Sequence, residues 1–395
     1  MDAGSELGGG RARRGHESHP AREARRALRR VRRLVVKVGS SLITAPGVGA
    51  DPDRIDAVAS EIARVRAGRE IVLVTSGAIT TGVARLTMAR RPRSIPEKQA
   101  AAAVGQSALM WHYEAAFKRH GISVGQVLLT AQDIGDRARY LNARNTLLAL
   151  LRLEVLPIVN ENDTVAVEEI KVGDNDNLSA LVASLIDADL LVLLTDVDGL
   201  YTADPARHAG ARKLDTVQAV TDHIEELAWA GEGEVGVGGM ATKLQAAHKA
   251  AAAGIPMIIG SGREAGALAR ILGGETIGTY FAPRADRLAA RKRWIAFAVA
   301  PQGRLVVDAG ALSALTQQGR SLLPSGLIGV EGAFAAGDVV AVVAEGGRRE
   351  FARGLVNFDA DELRRIQGAK TREIEGRLGY RAVDEVIHRD NLVVL

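Results

Sequence analysis

The chain has 395 residues, 47% hydrophobic and 25% charged. That length exceeds what one hydrophobic core usually serves and predicts a large domain followed by a smaller one. It contains no cysteine, which excludes disulfides, thiolate metal sites, iron–sulfur clusters and a cysteine nucleophile. The net charge of +4 is unevenly placed: residues 1–33 hold ten arginines against four acids, whereas the remainder carries 41 basic and 43 acidic side chains, a net −2. The hint of nucleic-acid affinity in a basic pI is thus confined to an arginine-rich tail, expected to be disordered over 1–33 for want of apolar surface. Leu34-Val35-Val36 meets Lys37 at once, too short a run for the core of a secretory signal. No apolar run approaches the roughly 18 residues that span a bilayer, so a cytoplasmic location is expected.

After the tail, short β-branched or leucine runs alternate with helical stretches. Arg33–Val38 reads as a buried strand, and Arg54–Arg66 as a helix with Ile55, Val58, Ile62 and Val65 on one face. A strand at Ile71–Thr75 precedes Gly77 and a helix. Pro96–Arg119 predicts a long helix, Val124–Leu129 a strand, Tyr140–Leu151 a helix and Val155–Val159 a strand. Leu178–Ile186 is helical, and Leu190–Leu194 is the pure Leu/Val run of a strand buried on both faces. Lys243–Ala253 predicts a helix and Ile255–Ile259 the last strand of the series. This alternation describes an α/β domain whose mainly parallel sheet is sandwiched by helices.

The pattern changes after Phe281. A charged linker, 284–303, contains Arg291-Lys292-Arg293, and short strand-like pieces follow at Arg304–Val307, Gly329–Val330 and Val339–Val343. A small, mostly β, barrel-like domain over 304–395 fits best, with the α/β domain over 34–283. No fixed-period repeat is visible.

In a parallel α/β sheet, ligands bind beyond the carboxyl ends of the strands, where glycine lets backbone amides approach phosphate. Four strands here end in small or polar residues: Lys37-Val38-Gly39-Ser40-Ser41, Thr75-Ser76-Gly77-Ala78, Asn160-Glu161-Asn162-Asp163 and Thr195-Asp196. A glycine-rich loop, Gly231 to Met240, precedes Thr242-Lys243 and a helix. The string Gly231-x-Gly233-x-x-Gly236 follows an acidic helix end rather than a strand, so it is not a dinucleotide fingerprint. No GxxxxGK[ST] loop and no protein-kinase motif set is present. Lys171-Val172-Gly173-Asp174-Asn175-Asp176-Asn177-Leu178-Ser179 places four consecutive Asp/Asn residues before a helix. One of them suffices for a cap, and the Gly and Glu positions of a calcium loop are missing. The histidines, such as His112, His120, His223, His248 and His388, lack ligand spacing.

The long strings VVKVGSSL, VTSGAI, AAVGQ, LNARNT, VNENDTVAVEEIKVGDNDNLSALVA, LLTDVDGLYTADP and GGMATKLQAA are similar to those of the amino-acid kinase family. Within that family the chain resembles the branch that phosphorylates the γ-carboxylate of glutamate and carries a C-terminal PUA domain. The likeness runs from about Leu34 to the end. It implies a catalytic set of Lys37, Asp176 and Lys243, with Ser76, Asp163 and Asn175 holding L-glutamate. It also implies that Lys37, Thr195, Asp196 and the run Val237, Gly238, Gly239, Met240, Ala241, Thr242 and Lys243 hold ATP, used with Mg2+. No residue is assigned as a metal ligand. Val237 departs from the family's usual Thr before Gly-Gly-Met, a lost hydroxyl worth roughly 0.5–1.5 kcal/mol.

The resemblance further implies the first step of proline biosynthesis, feedback inhibition by proline, a homo-oligomer (dimer or tetramer) and a separate glutamyl-phosphate reductase, since no reductase stretch follows the kinase one. The rival reading is an RNA-binding or regulatory protein acting through the PUA domain. Residues 304–395 hold 12 basic against 13 acidic side chains, a poor match to a phosphate backbone.

Overall fold

The computed structural model describes residues 19–90, 92–135, 137–165, 175–205, 207–229, 239–284, 301–347, 349–380 and 383–395. Residues 166–174 and 230–238, and most of the expected linker, lie outside them.

The larger domain is built on eight strands: β1 (Arg33–Val38), β4 (Glu70–Val74), β5 (Val124–Leu129), β6 (Leu156–Glu161), β7 (Leu190–Thr195), β8 (Thr216–Val217), β9 (Met257–Ser261) and β10 (Thr279–Phe281), with β2 (Thr44–Ala45) and β3 (Gly49–Ala50) forming a separate small ladder. The strand order is β5-β6-β4-β1-β7-β9-β10-β8. All pairings are parallel except β9 with β10. This is the expected mainly parallel sheet, with an antiparallel turn-back at one edge. Every residue of β7 is buried, as are Leu34–Val38 of β1, because helices cover both faces. Helices α3 (Pro52–Val65) and α5 (Ile95–Lys118) pack Ile55, Ile62, Leu109 and Phe117 on one face. On the other, α8 (Asn175–Leu185) and α10 (Met240–Ala252) pack Leu178, Val182, Leu244 and Ala247.

Helix starts follow local chemistry. Asp51 accepts from the main-chain N–H groups of Asp53 and Arg54 ahead of Pro52, and Ser94 with Glu97 closes a capping box at the start of α5. Helix α4 (Ala78–Arg85) lies against α5 backbone to backbone. A Cβ on Gly82 would stand 1.7 Å from the carbonyl oxygen of Ala101, and one on Gly105 1.8 Å from that of Ala78. Only glycine permits that approach.

The expectation of disorder throughout 1–33 is corrected within the described residues. Helix α1 (His19–Ala27) is followed by a short helical turn at Leu28–Arg30, and Leu28 and Val31 enter the core. Arg25 is 1% exposed. Its guanidinium donates to four main-chain carbonyls: Ile277 at 3.0 Å, Glu275 and Gly278 at 3.2 Å, and Asp215 at 2.6 Å. It also lies 5.9 Å from the centre of the Tyr280 ring. An arginine whose terminal Nη donors are met by carbonyls is cheaper to bury, so a segment rich in arginine folds where composition predicts a solvated tail.

The second domain has a five-stranded sheet ordered β12-β11-β13-β14-β15, from β11 (Gly303–Val307), β12 (Leu327–Gly332), β13 (Val339–Ala344), β14 (Glu350–Leu355) and β15 (Leu392–Val394). Its own core gathers Leu305, Leu327, Val340, Val342, Phe358 and Leu363. Among the described residues, no helix is long and apolar enough to cross a membrane.

Candidate active site

The register of the sheet brings the polar strand ends together. Lys37 pairs with Val74 of β4 and Leu193 of β7, and Val74 in turn pairs with Val159 of β6. Thr75, Ser76, Asn160 and Thr195 therefore follow at one end of the sheet. Side chains alternate along a strand, so Lys37 shares the face of Val35, which packs towards α8 and α10.

There Lys37 meets the first turn of α8. Its Nζ lies 2.6 Å from Asp176 Oδ1, and Lys243 Nζ, from α10, lies 3.3 Å from Asp176 Oδ2. Asp176 is fully buried, and each lysine is 6% exposed. The Thr242 hydroxyl sits 2.9 Å from Asp176 Oδ2, and Lys243 reaches the Gly239 carbonyl at 3.4 Å. Burial pushes the Asp176 carboxyl up, but the ammonium groups of Lys37 and Lys243, with hydrogen bonds from Lys37 and Thr242, bring it below the usual carboxylate range. Among the described residues the cluster sets two ammonium groups against the carboxylate of Asp176, an arrangement that favours an anion.

Beside the cluster lies a network of neutral side chains. Asn175 Nδ2 donates to Ser76 Oγ at 2.9 Å and to Asn160 Oδ1 at 3.1 Å. Asn160 Nδ2 donates to Gln106 Oε1 at 2.8 Å. Gln106 comes from α5, one residue past Gly105, so the α4–α5 contact delivers it here. Ser76 precedes Gly77, whose φ of +96° starts α4. Asp163 is half-buried just past the end of β6. Thr195 is buried, its hydroxyl 2.9 Å from Asp196 Oδ1, and Asp196 is exposed.

The structure thus gathers Lys37, Asp176 and Lys243 into one cluster, with Ser76 and Asn175 in the network next to it. Gly239, Met240, Ala241 and Thr242 form the approach to and first turn of α10, beside Lys243. Val237 and Gly238 lie outside the described residues. Asn160 and Gln106 were assigned no role from sequence, although both stand inside the strings that carry the family likeness.

Among the described residues no three Asp, Glu or His side chains gather as a metal site, and both Asp176 oxygens face ammonium groups. Two ammonium groups suit the phosphate oxygens of a nucleotide, to which magnesium also binds.

The other end of the sheet is different. A groove of about 1910 Å³ opens there, lined by Arg33, Glu70, Arg144 and Asp189 and by Asn357 and His388 of the second domain. None of the residues expected at the site lines it.

The amino acid kinase family profile matches residues 32–261, and the PUA domain profile matches residues 303–378. The chain belongs to the amino acid kinase family; it is an enzyme, a kinase with a C-terminal PUA domain. Among curated relatives, "Glutamate 5-kinase" of Moorella thermoacetica is 53% identical over 364 residues, covering 92% of this chain and 96% of that one. "Glutamate 5-kinase" of Ralstonia nicotianae is 54% identical, covering 92% and 97%. The crystal structure of a UMP kinase from Bacillus anthracis aligns over 65% of this chain and 97% of that one, at 17% identity and a TM-score of 0.45.

Proposed function

We propose that the chain transfers the γ-phosphoryl group of ATP to the γ-carboxylate of L-glutamate, giving L-glutamyl 5-phosphate, the first step of proline biosynthesis. The observation that carries this reading is the buried Lys37–Asp176–Lys243 cluster, taken with the relatives' shared name.

The attacking group is an anion already, so the reaction needs no general base. What opposes it is repulsion between that carboxylate and the nucleotide phosphates, and the charge that builds on the oxygen between the β and γ phosphorus atoms. Lys37 and Lys243 offset both from fixed positions, held apart and aimed by Asp176. Ser76, Asp163 and Asn175 hold glutamate; Thr195, Asp196 and residues 237–243 hold ATP. Magnesium, when bound, neutralises charge on the phosphate oxygens.

Proline as an inhibitor, a homo-oligomeric assembly and a separate glutamyl-phosphate reductase complete the proposal. The reductase follows from product chemistry, because an acyl phosphate hydrolyses readily and must be consumed soon after release.

The test is ATP consumption with Mg2+ and L-glutamate, trapping product as a hydroxamate, with aspartate and N-acetylglutamate in parallel. Turnover on glutamate alone supports the reading; turnover on neither glutamate nor the others sinks it. An RNA mobility shift that survives removal of residues 1–18 and weakens with salt would favour the PUA-centred reading instead.

A further inference from the structure

The neutral network beside the lysines has a fixed sense, and its two open ends are informative. The main-chain N–H of Glu161 donates to Asn160 Oδ1 at 2.9 Å. A main-chain N–H can only donate, so this contact settles which end of the Asn160 amide is oxygen. The other end, Nδ2, then donates to Gln106 Oε1. Asn160 Oδ1 also accepts from Asn175 Nδ2, whose second proton goes to Ser76 Oγ. Both protons of the Asn175 amide are used. What remains is its carbonyl oxygen, Oδ1, buried and without a hydrogen-bond partner.

A buried amide oxygen with no donor costs stability unless something donates to it. The amide sits on the residue next to Asp176, hence within reach of whatever lies against the lysines. Ser76, having accepted from Asn175, keeps its own proton for an acceptor.

We propose that Asn175 meets the substrate with its carbonyl oxygen and takes the α-ammonium group of the amino acid. Asn160 and Gln106 are positioning residues that keep this oxygen forward, and the Ser76 hydroxyl donates to a substrate carboxylate. An amide turned the other way would present two N–H donors to an ammonium group and repel it. The network therefore adds to selection for an amino acid over the corresponding diacid, through a neutral oxygen. This rests on the proposed phosphorylation of glutamate, because it assigns one end of that substrate.

The experiment is equilibrium binding of L-glutamate and of glutarate, which differs by lacking the ammonium group, to the full chain by calorimetry without ATP. The wild type is expected to prefer glutamate by at least about 10-fold, the value of one hydrogen bond to a charged group. Asn175→Leu removes the oxygen and is expected to bring the two affinities within about threefold of each other, mainly by weakening glutamate. Asn160→Ala frees the Asn175 amide to turn and should also erase most of the preference. Asn160→Asp keeps an oxygen towards both Glu161 and Asn175, while Gln106 can turn its amide to donate, so the preference should survive.

Equal weakening of both ligands in Asn160→Ala, or a preference that persists in Asn175→Leu, overturns the proposal, since general damage to the site moves both affinities together. Thermal unfolding of each variant identifies any that fails to fold, and the remaining variant then decides. A wild type that binds both ligands equally overturns this inference and leaves the phosphorylation reading standing. A wild type that binds neither, and turns over neither, removes both.

Discussion

The two ends of the central sheet handle charge in opposite ways. At the amino ends of the strands, buried and half-buried ionic groups are matched by neighbours. Arg33 pairs with Glu70 at 2.7 Å and donates to the Ile186 carbonyl, Arg144 pairs with Asp187 at 2.8 Å, and Asp189 accepts from the main-chain N–H groups of Arg32 and Arg33. At the carboxyl ends one buried carboxylate faces two lysines, and next to it an amide oxygen has no donor. The first end is finished by folding alone. The second leaves a buried amide oxygen without a donor, and on the proposed function a ligand meets it.

The strongest way to break this contrast is to remove a lysine from the incomplete end. Lys243→Ala is expected to lower kcat by roughly 10²–10³-fold or more, as loss of a charge-stabilising donor does elsewhere, read by the hydroxamate assay. Lys37→Ala should behave alike.

Asp176→Asn attacks the same cluster from the other side. It leaves two buried ammonium groups facing a neutral amide and is expected to cost about 3–5 kcal/mol in urea unfolding. Because the Asp176 carboxyl lies below its ordinary range when folded, its contribution is fully present above the unfolded value near pH 4. It is lost as pH falls through the folded value. The wild type should therefore lose stability on acidification below about pH 4, and Asp176→Asn should lose less over that interval. Equal slopes would show that the carboxyl is not held down.

Gly105→Ala tests how the incomplete end is assembled. The added methyl collides with the Ala78 carbonyl, so α4 and α5 must part. A loss of about 1–3 kcal/mol is expected, with a raised KM for glutamate, since Ser76 and Gln106 ride on those two elements. At the finished end, Glu70→Gln removes one partner of a part-exposed pair. It should cost less than about 1 kcal/mol and leave kcat unchanged; a large loss of activity there would erase the distinction between the two ends.

Much of this was legible in the residues. A pure Leu/Val run located β7, and the short apolar run around Leu34–Val36 located β1, because strands covered on both faces need no polar alternation. Lys37, Asp176 and Lys243 were legible through the strings in which they stand, since charged residues at strand and helix ends suit phosphate chemistry. Asn160 and Gln106 were not, because a neutral amide carries neither period nor charge, and Gln106 sits in an alanine-rich helix where glutamine usually faces water. The edge of the sheet, where β10 runs antiparallel to β9 and β8 follows it, was missed because strands of two and three residues are too short to show alternation. Helix α1 was missed because arginine content is an indicator of solvation only when the donors have nowhere else to go.

Arg25 shows what such a donor does when it finds a place. Its guanidinium donates to four main-chain carbonyls, groups that every amino acid carries. Substitution at Glu275 or Asp215 would leave those bonds in place, so this anchor tolerates sequence drift around it and leaves no paired signature by which one residue betrays the other. Its weak point is the arginine itself. A chain shortened to begin at Leu34, where the family likeness starts, would keep every residue of the proposed chemistry and lose the clamp that fastens the last strands of its sheet.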